Sequence, residues 1–101
     1  MRKIMISLLV LLIASTISVG ATPDYAKWGA LAVKETQKRY QADILDYKHL
    51  GRTDLTSQKS EERFKLWLVN KEGKEFGVYV YIEFDPSNDK LQRIRFSESA
   101  R

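Results

Sequence analysis

Hydrophobic and polar positions are arranged in three different ways along this chain. From Ile4 to Ala14 (IMISLLVLLIA) the run is apolar apart from Ser7. Arg2 and Lys3 precede it, and Val19-Gly20-Ala21 closes the segment that follows. From Tyr25 to Tyr40 the spacing is helical. At about 100° per residue, Tyr25, Trp28, Ala32, Thr36 and Tyr40 share one face with Val33 at its edge, and Lys27, Lys34 and Lys38 fall opposite. From Arg63 onward the period is two. Phe64, Leu66 and Leu68, then Phe76, Val78, Val80, Ile82 and Phe84, then Ile94 and Phe96 all stand at even numbers.

These patterns predict a helix over 23–40 and strands over 63–70, 75–85 and 91–97. Thr22 or Asp24 can cap the helix, and Pro23 is tolerated in the first turn, where its missing N–H has no partner to lose. Lys38 and Arg39 suit the negative end of the helix dipole. Glu35 and Arg39 have the spacing of a favourable ion pair. Residues 42–50 (ADILDYKHL) read as a possible strand with poor alternation. Residues 51–62, rich in Thr, Ser, Asp and Lys, read as a loop.

Lys71-Glu72-Gly73 fits a three-residue hairpin loop with Gly73 in the left-handed position. Pro86-Ser87-Asn88 fits a second, with Asn88 in that position. Closing the first at Asn70–Lys74 pairs Leu68 with Phe76, Leu66 with Val78 and Phe64 with Val80. Closing the second at Asp85–Asp89 pairs Val80 with Ile94 and Val78 with Phe96. Both hairpins then hold their apolar residues on one side. The helix has one apolar face and so has the sheet, and each can be covered by the other. The expected fold is α+β: one amphipathic helix packed on an antiparallel sheet of three or four strands, a two-layer sandwich.

A positive start, an apolar middle and a small-residue ending are the parts of a secretory signal peptide, with cleavage expected after Ala21. Ile4 to Val19 is short for a spanning helix, which needs about 20 apolar residues. The expected organisation is therefore a signal peptide, 1–21, and a single α+β domain, 22–101, secreted or held in the cell envelope. Loss of Arg2 and Lys3 lowers the net charge from +4 to +2. Strong basicity is then not a property of the domain, and nucleic acid is not a favoured partner. The chain has no cysteine, so neither a disulfide framework nor a lipoprotein anchor is available, and stability rests on one apolar core.

The odd-numbered sheet face carries the candidate chemistry. The register above sets Trp67 opposite Gly77, Lys65 opposite Tyr79 and Arg63 opposite Tyr81, with Arg95 facing Tyr79 and Arg93 facing Tyr81. Arg63, Lys65, Trp67, Tyr79, Tyr81, Arg93 and Arg95 are the candidate binding residues. Such a face suits an anionic partner: a cell-wall polymer, a phospholipid headgroup, a protein or peptide, or, less favoured, nucleic acid. The plainer reading is that long cross-strand pairs cover a solvated face and an aromatic ring covers a bare glycine.

No catalytic constellation stands out. His49 is the only histidine, no serine sits in a nucleophile elbow, and there is no Gly-rich phosphate loop. Asp43 with Asp46, and Glu61 with Glu62, carry no mark of an acid/base pair. Asp85 to Asp89 spaces oxygen ligands closely, but a calcium loop needs Gly at its sixth place and Glu at its twelfth, where Lys90 and Phe96 stand. It reads as a turn. No cofactor and no metal are expected.

Trp28, Ala32-Val33-Lys34-Glu35 and Lys38-Arg39-Tyr40, with Lys74-Glu75-Phe76-Gly77-Val78 and Phe84-Asp85-Pro86, resemble a family of small exported proteins of Bacillus-type bacteria, the domain of unknown function 3889 family (YqzG/YhdC type). The resemblance spans Tyr25 to Glu98. Gln41 departs from it, standing where a proline would follow the Arg-Tyr pair. The resemblance implies export and a cysteine-free domain, and brings no catalytic residues. The order of helix and meander is also similar to PepSY-type domains, which implies, at the level of fold alone, a peptidase inhibitor or regulator. The leading expectation is a non-enzymatic binding module. The alternatives are that inhibitor and, behind it, a small hydrolase.

Overall fold

The computed structural model describes residues 24–99. The expected signal peptide, 1–21, and the predicted helix start at Thr22 and Pro23 lie outside the described residues. Helix α1 (Ala26–Tyr40) precedes four strands, β1 (Asp43–Thr56), β2 (Lys59–Val69), β3 (Glu75–Asp85) and β4 (Lys90–Ser99). The strands form one antiparallel sheet in the order β1-β2-β3-β4, and α1 lies across β1, β2 and β3. This is the expected α+β arrangement, with four strands.

The even-numbered residues make the core. Phe64, Leu66 and Leu68 of β2 and Val78, Val80, Ile82 and Phe84 of β3 are buried against Trp28 and Ala32 of α1. Trp28 stacks on Phe84 with centroids 4.5 Å apart, and Tyr40 meets Phe76 and Phe96 edge-on. Full burial of each large side chain contributes about 1.5–3 kcal/mol.

Both helix ends differ in detail from expectation. The N-cap is Tyr25, not Asp24, and its side chain makes no capping bond. Its ring instead stacks on His49 at 3.7 Å, tying the helix start to β1. At the other end Gln41 is left-handed (φ 53°, ψ 46°), and its N–H donates to the carbonyl of Gln37 at 2.9 Å. A proline could do neither, because its φ is fixed near about −65° and it has no N–H. The family departure at Gln41 is thus the residue that ends the helix here. Glu35 pairs with Lys38 at 3.7 Å, while Arg39 lies 4.8 Å over the ring of Phe96. The Glu35–Arg39 pair expected from spacing is replaced by these two contacts.

The first hairpin closes as predicted. The Asn70 N–H donates to Lys74 O at 2.9 Å, Gly73 has φ 83°, and Leu68–Phe76, Leu66–Val78 and Phe64–Val80 are partners. The second hairpin needs a correction. Its loop holds four residues, Pro86 to Asp89, and the left-handed one is Asp89 (φ 59°), not Asn88. The Asp85 carboxylate accepts from the backbone N–H and hydroxyl of Ser87, which shapes the longer turn. A bulge follows between Glu83 and Phe84. Val80 therefore pairs with Phe96 and Ile82 with Ile94, two residues from the predicted register. A shift of two leaves the side chains from Arg93 to Ser97 on their predicted faces, whereas Leu91, beyond the bulge, pairs with Phe84 and changes face.

The larger correction is the predicted loop 51–62. Residues Gly51 to Thr56 complete β1 and Lys59 to Glu62 begin β2, with only Ser57 and Gln58 between. The residues 42–50 that read as a possible strand belong to β1 and pair with β2. What hid the strand is a series of bulges. Ile44 pairs with Leu68 and Asp46 with Trp67. His49 pairs with Phe64 and Gly51 with Arg63. Asp54 pairs with Ser60 and Thr56 with Lys59. The residue passed over is a leucine every time: Leu45, Leu50 and Leu55, spaced by five and 52%, 40% and 49% exposed. Each bulge resets the alternation, so period-two counting fails. It also roughens the outer edge against pairing with other strands.

Candidate functional site

Among the described residues no element covers the sheet face opposite α1. Its side chains lie in rows across the four strands: Thr53, Glu61, Glu83 and Arg93; Gly51, Arg63, Tyr81 and Arg95; Lys48, Lys65, Tyr79 and Ser97; Asp46, Trp67, Gly77 and Ser99. All seven predicted residues stand on this face. The predicted cross-strand neighbours hold for Trp67–Gly77, Lys65–Tyr79 and Arg63–Tyr81. Arg95 faces Tyr81 rather than Tyr79, and Arg93 faces Glu83 rather than Tyr81, because of the register shift in the second hairpin.

The face divides into two parts. Towards the β1–β2 turn, the arginines are spent on two carboxylates. Glu61 and Glu83 are only 9% and 5% exposed. Arg95 reaches Glu61 at 3.0 Å and Glu83 at 3.5 Å, Arg93 reaches Glu83 at 3.1 Å, and Lys59 lies 3.7 Å from Glu83. Arg63 donates to Thr53 and stands 3.9 Å from Glu61. The Arg95 guanidinium also covers Tyr81 at 4.4 Å. The hydrogen bond from Arg93 holds the Glu83 carboxyl below the usual carboxylate range, against the opposing effect of burial. This is a closed network, stronger than separate surface pairs, in which the four cations Lys59, Arg63, Arg93 and Arg95 outnumber the two carboxylates. Sequence reading missed both carboxylates. The signal was available for Glu83, whose odd number sets it on this face, and was hidden for Glu61 by its place in the supposed loop.

The other part is different. Lys48 of β1 is directly opposite Lys65 of β2, and the Lys65 ammonium lies 5.1 Å over the ring of Tyr79. Next to them Trp67 covers Gly77, and its indole N–H donates to Glu75 at 2.8 Å. Asp46, Lys48, Lys65 and Trp67 line an open hollow of about 300 Å³. Lys48 and Asp46 were absent from the predicted set, since the bulges of β1 concealed which face they share.

Polar groups also cluster at the β1 edge of the core face. Glu62 is 2% exposed, and its carboxylate lies 2.6 Å from Nε2 of His49, the ring stacked on Tyr25. The Tyr47 hydroxyl is pushed up by burial and by the nearness of Tyr25 and Glu62. Further along, Asp54 accepts from Ser60 at 2.7 Å and from Arg52 at 2.9 Å, which holds its carboxyl below the ordinary value. Among the described residues no three His, Asp or Glu side chains are grouped to hold a metal ion.

No solved structure matches the chain. A relative in Bacillus subtilis (strain 168), the uncharacterized protein YqzG, is 36% identical over 74 residues, covering 72% of this chain and 67% of the relative. The family model described as a protein of unknown function, DUF3889, matches residues 5–98. That match takes in the helix, all but the last residue of the sheet and both parts of its open face, and with the relative it shows that the chain belongs to the DUF3889 family.

Proposed function

We propose that this chain is an exported, non-enzymatic binding module that engages an anionic partner in the cell envelope or the surrounding medium through its open sheet face. One observation carries the reading. A four-stranded sheet has one face packed on the helix and the other left to solvent, and that open face sets Lys48 and Lys65 beside Tyr79 and Trp67. A face meant only to be solvated would gain from alternating charges across the strands, and two opposed lysines forgo that gain. The Arg–Glu network next to them fixes the sheet and adds positive charge of its own to the face, its four cations facing two carboxylates. Export is supported by the leader pattern of residues 1–21.

The test is retention on immobilised polyanions, polyglutamate and polygalacturonate, in low salt. Retention should fall as salt rises, because the contacts are exposed. Lys48→Glu with Lys65→Glu should abolish it. Arg93 and Arg95 are poor targets for this purpose, since reversing either would set a third carboxylate against the buried Glu61 and Glu83 and disturb the fold. No retention of the wild-type chain on either polymer would overturn the proposal. The peptidase-inhibitor reading has no side-chain observation of its own in favour.

A further inference from the structure

We infer that the hollow between Asp46, Lys48, Lys65 and Trp67 is a subsite for a sugar unit that carries an acid group. This deepens the proposed function and rests on the open face being the anion-binding surface. Three features converge there. Lys48 and Lys65 are cross-strand partners of like charge, and both line the hollow, so one of its walls is basic. Among the described residues Lys48 has no ion-pair partner. Beside them Trp67 supplies an apolar ring whose position is fixed twice, by Gly77 beneath it and by the bond from its N–H to Glu75. Sugar rings offer flat C–H faces to such a plate, and a polypeptide anion has no comparable group to lay on it. The third is Asp46. Its carboxylate, held by the Tyr47 N–H at 2.8 Å, accepts from hydroxyl groups and repels a second acid on the same unit. A polyhydroxylated ring with one carboxylate or phosphate satisfies all three, and a dense polyanion does not. The hollow, about 300 Å³, matches the lower end of small-ligand sites.

The two tryptophans give a readout, because Trp28 is buried, 7% exposed, in the core, so a ligand-dependent change in emission reports Trp67. The chain purified from cells that express it in full is titrated with oligogalacturonate, with polyglutamate of matched charge and with neutral dextran. Oligogalacturonate is expected to change the Trp67 emission and to bind about tenfold more tightly than polyglutamate, with dextran weaker still. Trp67→Ala and Lys48→Ala should each remove that preference, and Trp67→Phe, which keeps a ring, should retain most of it. Lys48 is exposed and its loss leaves the core intact, so this variant guards against a failure of Trp67→Ala to fold. Equal binding to both polyanions, unaffected by Trp67→Ala and Lys48→Ala, would overturn the sugar subsite and leave the anionic face standing. Binding to neither polyanion would overturn both.

Discussion

Trp67 lies so close over Gly77 that a Cβ on the glycine would stand 3.2 Å from both Cε3 and Cζ3 of the indole, and 3.2 Å from Cε of Lys65. One missing side chain on β3 therefore sets two groups on β2. Gly77→Val should lift both. The expected outcome is a modest loss of stability, about 1–2 kcal/mol, with a shifted Trp67 emission and weaker retention on polygalacturonate. A folded Gly77→Val variant that binds as well as wild type would show that the placement of these groups does not matter.

His49 and Glu62 depend on each other. With Glu62 2% exposed and hydrogen-bonded to His49, removing the imidazole strands a buried carboxylate. His49→Ala should cost about 2–3 kcal/mol in chemical denaturation. Adding Glu62→Leu should recover much of it, since the stranded charge is then gone. If the two substitutions simply add, the pair is not coupled.

Glu83 makes stability depend on acid. Its carboxyl is held below the ordinary value chiefly by the hydrogen bond from Arg93. A group depressed in this way stabilises the fold while ionised. That contribution is fully present above the ordinary carboxylate range and is lost as the pH falls through the folded value. Glu83→Gln should therefore be less stable than wild type at neutral pH, and the gap should close towards about pH 3. A gap of constant size, measured by urea unfolding across the range, would contradict the assignment.

The bulges of β1 invite a deletion test. Leu50 is the residue skipped between His49–Phe64 and Gly51–Arg63. Deleting it leaves a regular ladder with every other partner in place, so the chain should still fold, with some loss from the changed twist at Gly51 (φ 143°). Deleting Lys48 instead inverts the side chains along the rest of the strand and should abolish the fold. Circular dichroism and thermal melting of the two variants distinguish these outcomes, and equal behaviour of both would show that Leu50 is no bulge residue.

What the sequence made legible follows from how each element is coded. Helix α1, β2 from Arg63 onward, β3 and β4 could be read because their apolar residues keep one period, and the first hairpin because Gly73 takes the position that only glycine fills cheaply. The second hairpin failed by two residues, since an Asp85–Ser87 side-chain bond and a bulge at Glu83 lie beyond pattern counting. Strand β1 failed for a related reason. Leu45, Leu50 and Leu55 each break the alternation, and the polar residues Asp54, Ser60, Glu61 and Glu62 are strand residues that satisfy one another or their neighbours. The seven candidate residues were placed on the right face by parity alone. Their division was not visible, because Glu61 and Lys48 sit on segments whose strand character the bulges concealed.

The account rests most on the open face near Trp67, and a residue-resolved titration addresses it directly. Amide and indole NMR signals of the chain would be followed as oligogalacturonate is added. The account predicts that the signals of Lys48, Lys65, Trp67 and Tyr79 shift together and saturate at one concentration. Shifts confined to the Lys27, Lys34 and Lys38 side of the helix, with the open face silent, would contradict it.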